Sequence, residues 1–156
     1  MAKRPRWTRQ FLSEADFDAI AQAIESAEAQ TSAEIRVHLE RHVPRRLFRR
    51  MPDPLSRARQ VFDHLGMHRT ADRNGVLLYL AVGDRKLAVV GDEGIHGRVG
   101  GRHWDGVRDR MVEKRSAGAA RDAILSAIRE VGSALAEHYP RWRGDVNELG
   151  DEVSVS

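Results

Sequence analysis

The chain has 156 residues, 41% of them hydrophobic and 31% charged, with a formal net charge of +3 and no cysteine. That length predicts one domain, able to bury roughly 70% of the surface its unfolded chain exposes. The missing cysteines exclude disulfides, thiolate catalysis and cysteine zinc sites. The sequence pI is ≈ 9.8, but arginine supplies most of the positive charge, lysine occurring only at 3, 86 and 114. Arginine stays protonated throughout this range, so the high pI says little about partners.

Residues 1–12 form a basic arm, MAKRPRWTRQFL, followed at once by Ser13, Glu14, Asp16 and Asp18. That leaves no apolar core for a signal peptide. The longest apolar run, residues 76 to 82, is of strand length, so no membrane span is expected and the cytoplasm is the expected location. Ser13 is placed to cap a first helix, with Phe17, Ile20, Ala21, Ile24 and Ala27 at helical spacing. EIRVHLE, residues 34 to 40, alternates strictly and predicts a half-buried strand with Ile35, Val37 and Leu39 facing the core.

The next segment, RHVPRRLFRR, carries Arg41, Arg45, Arg46, Arg49 and Arg50 and no acid; Pro44, Pro52 and Pro54 mark it as a loop. Leu55, Ala58, Val61, Phe62 and Leu65 then outline a second helix, stopped by Gly66. Residues 76 to 82 and 87 to 90 are apolar without alternation, as expected of strands buried on both faces, and Gly83-Asp84 predicts an antiparallel turn between them. Trp104, Val107 and Met111 suggest another helix, and a long one runs from about Ala117 to Tyr139 before Pro140. The order α-β-α-β-β-α-α predicts a three-layer α/β/α sandwich around a small mixed sheet of three to four strands. The organisation read from this is an arm at 1–12, a domain at 13–140 and an acidic tail at 141–156 with Asp145, Glu148, Asp151 and Glu152.

A right-handed β-α-β crossover makes the first two strands parallel and the third antiparallel. The end of the third strand, Asp92-Glu93, then lies beside Asp72 at the start of the second, with Glu34 on the same rim. Oxygen-rich clusters of this kind suit Ca²⁺ or Mg²⁺. Two plainer roles compete: Asp92 or Glu93 capping the turn at Gly94-Ile95, and Asp72 making an Asx turn.

TSAEIRV (31–37), the F-x-x-L-G-M helix end (62–67), RNGVLLYLA (73–81), VVGDEGI (89–95) and Trp104 resemble the TPM domain family, which includes thylakoid acid phosphatase and photosystem-repair proteins. The tail DVNELGDEV (145–153) is similar to the ending of a soluble bacterial subset. The resemblance implies an α/β/α fold with a mixed sheet, divalent-cation binding by acids near the sheet rim, and a phosphatase activity claimed for some relatives. The signal peptide and membrane anchor of many relatives are not matched, nor is the acid-rich N-terminal pattern of the photosynthetic members.

Other chemistry has less support. His64 and His68 are separated by Gly66, and His96 and His103 flank a glycine-rich turn beside the acids. The glycines at 91, 94, 97, 100 and 101 match neither nucleotide-binding spacing. Ser13, Ser32 and Ser116 sit in capping contexts, so any hydrolysis is expected to use metal-activated water as a metal-dependent phosphomonoesterase. The alternative is a non-catalytic interaction module, its arginine-rich loop at 41–50 recruiting an acidic protein or pairing with the acidic tail, within one chain or by self-association. Phe48 is the only aromatic nearby, so nucleic acid is disfavoured.

Overall fold

Helix α1, Glu14–Glu28, starts where Ser13 closes a capping box: the Asp16 N–H donates to Ser13 Oγ at 3.0 Å, and the Ser13 N–H donates to Asp16 Oδ2 at 2.8 Å. Two of the orphan donors of the first turn are thereby satisfied. The computed structural model describes residues 4–44, 53–67, 75–84, 86–92, 95, 105–107, 109–110, 120–141 and 153–156. Strand β1, Glu34–Glu40, follows. Helix α2, Pro54–His64, is capped by Asp53, which accepts from the Leu55 N–H at 3.1 Å, and has proline at its first position. It ends at Gly66, whose φ of 71 is the left-handed conformation that glycine adopts without a Cβ penalty. Strands β2, Gly75–Ala81, and β3, Lys86–Gly91, precede helix α3, Ala120–His138, and a short strand β4, Ser154–Val155. Residues 105–107 and 109–110 are also helical, with Val107 fully buried.

The sheet order is β3-β2-β1-β4. Strand β1 pairs parallel with β2, Glu34 opposite Gly75, and β2 pairs antiparallel with β3, Val76 opposite Gly91. Strand β4 runs parallel to β1 along its outer edge, His38 opposite Ser154. Helices α1 and α3 cover one face. Phe17, Ile20 and Ile24 meet Ile124, Ile128, Val131 and Leu135 over Ile35, Val37, Leu39, Val76, Leu78 and Leu80. Helix α2 covers the other, setting Ala58, Val61 and Phe62 with Met67 on Leu77, Tyr79, Ala81 and Ala88. The sheet is therefore mixed and enclosed between two helical layers, an α/β/α sandwich.

One local expectation is corrected. Strand β1 is not half-buried: Glu34, His38 and Glu40 are all below a tenth exposed, so its polar face is enclosed as well as its apolar one. The end of the acidic tail also contributes the fourth strand. Trp7 and Phe11, in the N-terminal arm, pack against the larger core, with Arg6–Gln10 forming a single 3₁₀ stretch.

Candidate functional site

The pleat of the sheet sorts the polar residues. Ile35, Val37 and Leu39 point to the α1/α3 layer, so Glu34, Arg36, His38 and Glu40 point to the α2 side. At the rim, the Asp92 N–H donates to Gly75 O at 2.9 Å, which extends the β2–β3 register by one residue. Glu34, Gly75 and Asp92 thus form one transverse row on the α2 side. Both acids are buried, at 4% and 6% exposure. Two strand spacings, roughly 9–10 Å, separate their backbones, and the residue between them is a glycine. Met67, just past the end of α2, lies over that glycine: a Cβ at Gly75 would come within 3.3 Å of Met67 O and 3.5 Å of Met67 Cε. A backbone carbonyl oxygen therefore stands above the gap between the two acidic strands.

Of the acids expected at this rim, Glu34 and Asp92 are brought to one row, while Asp72 and Glu93 lie outside the described residues. The carbonyl oxygen of Asp92 accepts from the Ile95 N–H at 3.0 Å. Among the described residues, no group of three or more histidine or acidic side chains is close enough to hold a metal ion. His68, His96 and His103 fall outside the described residues. So do Arg45, Arg46, Arg49 and Arg50 of the basic loop; Arg41, the described member, is exposed, and its carbonyl accepts from the Gly83 N–H at 2.7 Å.

The remainder of the β1 row forms a polar network that the alternation of EIRVHLE disclosed only in part, because alternation reports which side chains share a face and not what covers it. Arg57, on α2, grips Glu40 with Nε at 2.6 Å and Nη2 at 3.2 Å, and Tyr79 donates its hydroxyl to Glu40 Oε1 at 3.1 Å. Burial, followed by the Glu40 charge and hydrogen bond, pushes the Tyr79 phenol well above its ordinary range. The hydrogen bond to Glu40 likewise raises the Arg57 guanidinium.

His38 stacks on Tyr79, the ring planes 12° apart. Its Nδ1 lies 2.7 Å from Ser154 Oγ and its Nε2 2.7 Å from Ser156 Oγ. Burial is the main cause that lowers its pKa to about 4; Glu40 opposes the shift, while Arg57, Arg36 and His64 add to it. The ring is therefore neutral near pH 7. Ser154 Oγ also donates to Val37 O at 3.3 Å, so it accepts from His38 Nδ1–H, and Nε2 accepts from the Ser156 hydroxyl. This network assigns the tautomer. A weakly basic imidazole with its nitrogens committed to Ser154 and Ser156 is an anchor for the tail rather than a base for a serine nucleophile.

Comparison with known proteins places the fold. The structure is similar to the NMR structure of BA42 protein from the psychrophilic bacterium Bizionia argentinensis, with a TM-score of 0.82 and 36% identity over 94% of this chain and 96% of that one. The N-terminal domain of a P. gingivalis protein shares the fold with a TM-score of 0.65 at 16% identity, covering 85% of this chain and 83% of the other. The N-terminal domain of a Corynebacterium glutamicum protein does so with a TM-score of 0.61 at 20% identity, covering 86% of each chain. No curated protein matches the chain. The TPM domain matches residues 7–134, from the N-terminal arm into α3, and the chain belongs to the TPM domain family.

Proposed function

We propose that this domain binds one divalent cation, Ca²⁺ or Mg²⁺, at the sheet rim where Glu34 and Asp92 flank Gly75. The observation that carries the reading is the row itself: two buried carboxylates on one face, with a glycine between them and the Met67 carbonyl oxygen above it. The donors are all oxygen, the chemistry that hard cations take, and carbonyl oxygens are ordinary calcium ligands. Asp72 and Glu93, in the segments that adjoin β2 and β3, complete the ligand set in this reading. A cation at this rim would polarise bound water or a phosphoryl oxygen, and any phosphomonoester hydrolysis by the domain belongs there.

Thermal unfolding with Ca²⁺ or Mg²⁺ titrated into the chelator-treated protein tests the reading. A ligand held only by the folded state adds about 2.7 kcal/mol at a hundredfold excess over its dissociation constant, so the melting temperature rises in the wild type and not in Asp92→Asn. Absence of both a shift and calorimetric heat would reduce Glu34 and Asp92 to structural acids. Phosphatase activity surviving both chelator and Asp92→Asn would belong to another site or another protein.

A further inference from the structure

Arg36 lies one step in from the rim, on the same α2-side face, with Leu77 and Val90 beside it on β2 and β3. Its side chain is half-buried, and its Nε is buried yet donates no hydrogen bond among the described residues. The neighbouring guanidinium behaves differently: Arg57 spends its fork on Glu40. A buried donor of a charged group left without an acceptor is costly. Arg36 and Arg57 both lower the His38 pKa from this side, and Glu40 opposes them. Arg57 and Glu40 pair with each other, so Arg36 is the guanidinium of this face that Glu40 does not hold. Glu34 is the nearest acid along the strand, two residues away on the same face.

We propose that Arg36 is the anion-binding residue of this face, its guanidinium taking a tetrahedral oxyanion, either inorganic phosphate or the phosphoryl end of a monoester. A planar fork of N–H donors matches such an oxyanion in geometry and charge. Arg36 and Glu34 are two residues apart along the strand, roughly 7 Å, a span that one phosphoryl group bridges between the guanidinium and a cation at the rim. The inference deepens the cation reading by naming what the rim would act on, but it stands without it, because the guanidinium carries its own charge.

The test is an NMR titration of the full chain with inorganic phosphate in the presence of chelator, at constant ionic strength, following the Arg36 Nε–H and the His38 ring. Saturable shifts of the Arg36 signal are expected. The His38 pKa rises from about 4 as the anion offsets the Arg36 field. Arg36→Gln weakens binding about tenfold or more, and Arg36→Lys, which keeps the charge without the fork, falls between. Phosphate binding is read in chelator and the Ca²⁺ response is read separately by thermal unfolding of the wild type, so the two proposals fail separately. Repeating the titration with O-phosphoserine separates the sources: binding there assigns the phosphoryl group of an ester, and binding of free phosphate alone assigns the inorganic ion. Phosphate shifts that do not saturate, or that persist unchanged in Arg36→Gln, overturn the proposal. So does their loss in Arg45→Gln/Arg46→Gln with Arg36 intact.

Discussion

His38 stores a pH dependence in the fold. Its folded pKa of about 4 lies below the ordinary histidine value of 6.5, so between these values the unfolded chain takes up a proton that the folded chain refuses. Stability is therefore full above about pH 6.5 and falls as pH drops toward 4, by up to about 3 kcal/mol. Urea unfolding across this window should show that slope in the wild type and a flatter one in His38→Gln. Asp84 acts in a lower window. Burial pushes its carboxyl up, but the hydrogen bonds from His42 and the Val43 N–H, with the charges of His42 and Lys86, outweigh burial and hold it below 3.8. Its contribution is present above that value and is lost only as pH falls through the depressed one.

The contact between α1 and α3 depends on one missing methyl. A Cβ at Gly132 would stand 2.8 Å from Ala27 Cβ, closer than packed carbons approach. Alanine favours the helix by about 1 kcal/mol over glycine, yet overpacking typically costs about 1–3 kcal/mol. We expect Gly132→Ala to lower stability by up to about 2 kcal/mol. Adding Ala27→Gly, itself costing about 1 kcal/mol, should then cost little more; a strictly additive double mutant would mean that the helices simply slide apart. Most elements were legible because each carries a local physical signal. Ser13 and Asp53 cap helices, Gly66 stops one, and the unbroken apolar runs of β2 and β3 require cover on both faces. Strand β4 was not legible: two residues in a polar tail carry no periodicity, and only the open edge of β1 makes them a strand. The rim was read in part, since Glu34 and Asp92 sit at strand ends that topology brings together. The roles of His38, Glu40 and Arg57 depend on a helix crossing the sheet and a tail returning to it, which strand alternation does not encode.

At the scale of the whole molecule, β4 joins the end of the described chain to its first strand. Val153 and Val155 pack against the larger core, and the Ser156 N–H donates to Leu39 O at 3.0 Å. Removing residues 153–156 forfeits these contacts and both serine partners of His38, while releasing the entropy of four ordered residues. These terms nearly offset, leaving a loss of about 1–2 kcal/mol. The sharper readout is His38 itself: with its cover gone, it should titrate closer to 6.5 than to 4 by NMR. A value unchanged by the truncation would show that α2, and not the tail, keeps the ring dry. Among the described residues, no helix is long and apolar enough to cross a membrane.

The parallel pairing of β1 with β4 sets an order of events during synthesis. His38 and Ser154 are 116 residues apart, so at about 5–20 residues per second the ribosome needs roughly 5–25 s to deliver the partner of that edge. Throughout that interval β1 is an edge strand with an apolar face, the kind of segment that pairs with other copies of itself. Glu34, Arg36, His38 and Glu40 place an ionisable group at every second position of this strand, and inward-pointing charges are among the devices that keep such edges from sticking. The row that ends as a buried polar network in the finished domain is therefore the same row that sets ionisable groups along the open edge of the nascent strand.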